Sequence, residues 1–169
     1  MTSSESQFVN SAQLDLAVEV LQTFGELRFV AQGVSMLPSI FPGDRMVVRK
    51  ASFSDIRAGD VVLYARNDSF CAHRVMYKDD TKTLITRGDA MDRTDAPVRE
   101  TELLGRVISV VRDLKTIPMS RHSGVWLDLQ RWVLRHSDVA TACYLHGARF
   151  YARCKQTIFR ARTKIPEYS

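Results

Sequence analysis

The chain has 169 residues, 45% hydrophobic and 25% charged. That suits one globular domain, with or without an appendage, and excludes a low-complexity or disordered chain. Three cysteines (Cys71, Cys143, Cys154), odd in number and without CxxC spacing, argue against a disulfide framework and for a reducing compartment. The net charge of +5 sits at one end: residues 1–111 hold 13 Lys/Arg against 15 Asp/Glu (net −2), and residues 112–169 hold 11 against 4 (net +7).

The N-terminal MTSSESQFVNSAQLD is polar and acidic. It lacks the basic and apolar regions of a secretory signal. No charge-free apolar run reaches the roughly 18 residues of a membrane-spanning helix. Both readings point to a cytoplasmic protein.

The first predicted element is a helix over about 11–24. Leu14, Ala17, Val18, Leu21 and Phe24 recur at helical spacing, and Gly25 supplies a stop. From about 27 to 112 the pattern changes to β. LRFVAQG, DRMVVRK, DVVLYAR, FCAHRVMYK, KTLITRG and GRVISVVRD read as strands, cut by turn signals in FPGD, RAGD, RNDS and KDDTK. From about 121 to 164 helix returns. VWLDLQRWVL is one amphipathic stretch, and a second runs from about Asp138 to Arg162. There Arg149, Arg153, Arg160 and Lys164 oppose Ala140, Tyr144, Tyr151 and Ile158. The chain therefore divides into an N-terminal helix (1–26), a β domain (27–112) and a basic helical tail (113–169). The expected fold class is mainly β, α+β overall.

Three short segments of the β zone carry chemistry: Gly33-Val34-Ser35-Met36-Leu37-Pro38, Cys71-Ala72-His73-Arg74-Val75 and Thr86-Arg87-Gly88-Asp89-Ala90. Each alone has a bland reading as turn or strand residues. Together they supply a Ser, a His and an Asp. A serine hydroxyl needs a base within about 2.6–3.2 Å to become a nucleophile. An imidazole can take that proton and later return it to a leaving amine. A carboxylate on the other ring nitrogen holds the tautomer and stabilises the imidazolium.

In order and spacing these segments resemble the signal peptidase superfamily (S24/S26-like serine peptidases), which includes the LexA-like self-cleaving proteins. SMLPSIFPGDRMVV is similar to the family's nucleophile box and the strand after it. AGDVVLY resembles the next strand, HRV and RGDAMDRTDAPV the later boxes, and LGRVISVV the closing strand. The resemblance covers roughly residues 27–112 and implies a signal-peptidase/LexA-like coiled β domain. One branch of the family places Lys before Arg-Val; the archaeal and endoplasmic-reticulum branch places His there, as this chain does with His73. The resemblance thus implies Ser35 as nucleophile and His73 as base. Asp89 and Asp95 are alternative or joint partners of His73. Gly33, Met36 and the backbone N–H of Ser35 are expected at the oxyanion and substrate-binding positions. After Gly88-Asp89 the family has Asn, and this chain reads Ala90-Met91. The implied activity is serine endopeptidase cleavage of a precursor or leader peptide, bound extended by strand addition. A self-cleaving regulator and a non-catalytic peptide-binding module are the rivals.

No cofactor is expected. His136, Cys143, His146 and Cys154 match no zinc spacing. Cys71 reads as a buried strand residue rather than a second nucleophile. The tail reads as a helical hairpin with a solvated basic face. Alternatively, Trp126 and Trp132 beside that face suit peripheral contact with an anionic membrane, or the face docks a partner. No motif for nucleic acid is present.

Overall fold

The computed structural model describes residues 7–8, 11–67, 69–79 and 81–121. Strand β1 (Gln7–Phe8) precedes helix α1 (Ser11–Phe24). Then come β2 (Glu26–Val30), β3 (Arg45–Arg49), β4 (Val61–Arg66), β5 (Ser69–Lys78), β6 (Thr83–Arg87), β7 (Val98–Arg99), β8 (Leu103–Arg112) and β9 (Lys115–Pro118). The fold is mainly β with one N-terminal helix, as the sequence predicts. The expected C-terminal helices, with Trp126, Trp132, His136, Cys143, His146 and Cys154, lie outside the described residues. Among the described residues, no helix is long and apolar enough to cross a membrane.

Helix α1 turns Leu14, Ala17 and Leu21 onto the sheet. Phe24, expected in the same stripe, is 75% exposed. It lies at the margin of the apolar arc, in the last turn before the chain reverses. Gly25 adopts φ 69°, and its N–H donates to Leu21 O at 3.1 Å. This left-handed stop suits glycine, which carries no Cβ to clash.

All strand pairs are antiparallel and run in the order β2-β3-β8-β4-β5-β6-β7, with β1 on β5 and β9 on β8. The two ten-residue strands, β5 and β8, each pair with three others. Register shifts interrupt β3, β4 and β5, and such bulges add twist. Strand β4 is buried on both faces. Successive side chains of a strand point to opposite sides. Val61 and Leu63 therefore enter the core under α1, whereas Val62 and Tyr64 join Val75, Leu84 and Val98 in a second core.

Two Gly-Asp turns share one construction. Gly43 and Gly59 take φ 92° and 89°. The next residue, Asp44 or Asp60, accepts a backbone N–H three residues back, from Phe41 (2.8 Å) and Arg57 (2.9 Å) respectively. Both carboxylates are buried and paired: Asp44 with Arg112 at 2.5 Å, Asp60 with Arg121 at 2.6 Å. Asp44→Ala would strand the Phe41 N–H and the Arg112 guanidinium. We expect it to lower unfolding stability by about 2 kcal/mol, read as the shift in a urea midpoint at unchanged slope.

Candidate active site

Ser35 lies in a tight turn after Gly33 and Val34. Leu37 N–H donates to Val34 O (3.1 Å) and Ile40 N–H to Met36 O (2.9 Å). Ser35 itself is half-buried. His73 lies mid-strand on β5, opposite Val62, with Arg74 opposite Val61. Being successive residues, they point to opposite faces, so one strand supplies two unlike groups to two different places.

The imidazole makes both contacts expected of a base. Its Nε2 lies 2.9 Å from Ser35 Oγ, and its Nδ1 lies 2.7 Å from Asp95 Oδ2. Both are ordinary hydrogen-bond lengths. The Tyr64 hydroxyl is 3.4 Å from Nδ1, a long contact beside the 2.7 Å one. His73 is 8% exposed, enough to reach Ser35 while most of the ring is shielded from water.

The guanidinium goes elsewhere. Arg74 Nε and Nη2 each donate to one oxygen of Asp89 at 2.8 Å. Its Nη1 donates to Gly59 O (2.7 Å) and Ser120 O (3.1 Å). Ser39 Oγ donates to Asp89 Oδ2 at 2.5 Å. The two acids left open by the sequence are thereby separated. Asp95 meets His73, whereas Asp89 pairs with Arg74 and holds the Ser35 turn through Ser39. The physical reason is reach. Asp89 follows β6 directly, on the Arg74 side; Asp95 returns to the sheet six residues later, its N–H donating to Thr86 O at 2.8 Å.

Met36, expected at the oxyanion and substrate-binding positions, follows Ser35 in the same turn. Its side chain is 4% exposed and packs in the core under α1, so it anchors the turn from inside. Gly33 is half-buried at the start of the turn. Cys71 belongs to the second core beside Tyr64, and burial, with the Asp95 charge adding, raises its thiol pKa. A thiol so placed is a poor nucleophile.

Two groups had no role in the sequence reading beyond membership of the boxes. Gly88 is one. A Cβ there would stand 2.6 Å from Ser35 O and 3.0 Å from Ser35 Cβ, and Ala90 N–H donates to that same oxygen at 2.9 Å. The loop can approach the Ser35 turn only because residue 88 has no side chain. Thr86 is the other; its hydroxyl donates to Asp95 Oδ2 at 2.6 Å.

The carboxyl of Asp95 is governed by opposing influences. Burial is the largest and favours the neutral acid. Hydrogen bonds and charge from His73, with bonds from Thr86 and Tyr64, outweigh it and hold the pKa below the ordinary 3.8. A carboxyl lowered in the folded state stabilises the fold fully above 3.8, and that contribution is lost as pH falls through the lowered value.

Three substitutions separate these roles. Asp89→Asn breaks a buried pair and should cost about 3–5 kcal/mol. Asp95→Asn should shift a melt at neutral pH far less, yet slow the labelling of Ser35 by a fluorophosphonate on the order of a thousandfold or more. Gly88→Ala should displace Ser35 and lose labelling at a temperature where circular dichroism still reports folded protein. Equal melts for Asp89→Asn and wild type would contradict the assignment of Asp89.

Residues 4–108 match the family model described as Peptidase S24-like. No curated protein matches the chain. The matched span covers more than half of the 169 residues and contains α1, the Ser35 turn, β5 with His73, and the loop bearing Asp89 and Asp95. By its sequence the chain belongs to the Peptidase S24-like family.

Proposed function

We propose that the chain is a serine endopeptidase of signal-peptidase type, of the Ser–His branch, which cleaves a precursor or leader peptide. Ser35 is the nucleophile, His73 the general base and Asp95 the group that orients His73. The observation that carries this reading is the line of contacts Ser35 Oγ–His73 Nε2 (2.9 Å) and His73 Nδ1–Asp95 Oδ2 (2.7 Å).

With Asp95 ionised, His73 Nδ1 keeps its proton, which leaves Nε2 as the acceptor facing Ser35. As Ser35 Oγ attacks the scissile carbonyl, its proton passes to Nε2. Asp95 stabilises the imidazolium so formed. The oxyanion takes a hydrogen bond from the backbone N–H of Ser35, a fixed donor that needs no reorganisation. Imidazolium then protonates the leaving amine, and the acyl group remains on Ser35. Water, deprotonated at Nε2, releases it and restores the hydroxyl. As the family resemblance implies, the substrate lies extended by strand addition, with small side chains near the scissile bond.

A second reading shares the same chemistry. The Peptidase S24-like match also suits a LexA-like protein that cleaves itself. The two differ in where the cut falls.

Ser35→Ala should abolish fluorophosphonate labelling. His73→Ala should slow it on the order of 10⁴-fold or more, with the fold intact by circular dichroism. Labelling of His73→Ala at the wild-type rate would defeat the Ser–His assignment. Intact-mass analysis of wild type against Ser35→Ala distinguishes the two readings: a Ser35-dependent loss of N-terminal mass marks self-cleavage, and its absence alongside cleavage of added peptides marks an enzyme acting in trans.

A further inference from the structure

We infer that Thr86 is a positioning residue for the proposed reaction, fixing the Asp95 carboxylate so that it holds His73 in line with Ser35. This rests on the serine peptidase reading above. Thr86 is fully buried on β6, 0% exposed. It grips Asp95 twice: its carbonyl accepts the Asp95 N–H at 2.8 Å, and its hydroxyl donates to Asp95 Oδ2 at 2.6 Å.

That second bond ends on the same oxygen that meets His73 Nδ1 at 2.7 Å. An ionised carboxylate can only accept, so the Thr86 proton must point into Oδ2. Thr86 and His73, each fixed in a strand of the sheet, thus converge on one oxygen, while the Tyr64 hydroxyl also bonds the carboxyl. A length of 2.6 Å falls in the range of charge-assisted O–H···O⁻ bonds, roughly twice the strength of neutral ones. The neighbouring Tyr64 hydroxyl reaches His73 Nδ1 only at 3.4 Å, so it cannot fix the imidazole equally well.

The geometry also explains why the residue is threonine. Asp95 sits on a loop, and its side chain has two torsions that its bonds to the sheet must fix. Thr86 is β-branched, with a stiff χ1, and it is anchored in a strand whose Cα partner is Val75, two residues beyond His73. The hydroxyl thus carries the rigidity of the sheet to a carboxylate on a loop.

The test uses the full chain and the second-order rate of Ser35 labelling by a fluorophosphonate, with thermal melts in parallel. Thr86→Val keeps shape and burial but removes the donor; it should slow labelling about tenfold. Thr86→Ser keeps the donor and should stay within about threefold of wild type. Both should melt close to wild type. In an Asp95→Ala background Thr86→Val should add no further slowing, because the bond it removes is already gone. Wild-type labelling in Thr86→Val would overturn the inference, as would equal slowing in Val and Ser variants or full additivity with Asp95→Ala. Labelled wild type with an unaffected Thr86→Val rejects the role of Thr86 alone; wild type that is never labelled at Ser35 rejects the peptidase reading and this inference with it.

Discussion

The ion pair between Arg74 and Asp89 is the constraint on which the site geometry depends. Both side chains are under 10% exposed. Taking two charges out of water costs several kcal/mol each, repaid only when geometry is good and the remaining donors are satisfied. Here they are: the pair is bidentate, and the spare guanidinium nitrogen donates to the carbonyls of Gly59 and Ser120. The pair therefore ties together β5, the loop after β6 and the turn before β4. Through Ser39 it also holds the turn that carries Ser35.

That arrangement gives two adjacent residues of one strand complementary tasks. Arg74, on one face, draws the Gly-Asp loop and the Ser35 turn toward the sheet. His73, on the other, meets the hydroxyl and carboxylate so delivered. Close approach then depends on Gly88, where any side chain would collide with Ser35. Three Gly-Asp pairs recur along the chain, at 43–44, 59–60 and 88–89, and each acid is buried against an arginine. Asp95, which no glycine precedes, is the one that meets the histidine. Burial alone would raise its pKa; the donors around it hold it below the usual carboxylate value.

Much of the fold was legible in local pattern. The helix over 11–24 and six strands could be read from apolar spacing and turn residues, because those segments are long enough to show a period. The pairs Gln7–Phe8 and Val98–Arg99 are too short for any period. Lys115–Pro118 is exposed along its length, so no buried face marks it as a strand. Phe24 misled because periodicity assigns a face but not where the sheet beneath it ends.

The groups available to the site are plain in the chain: a Ser in a turn box, a His before Arg-Val, and acids at 89 and 95. The sequence also determined the β architecture that holds them, since strand period and turn chemistry are local properties. The choice between Asp89 and Asp95, by contrast, is made by the folded chain. That choice depends on which face of β5 each acid can reach, and on an arginine neighbouring the histidine that claims one of them. Such competition between partners distant in the chain leaves no trace in local spacing. The same holds for the Met36 side chain, whose burial in the core beneath the turn follows from packing and not from its place beside Ser35 in the chain.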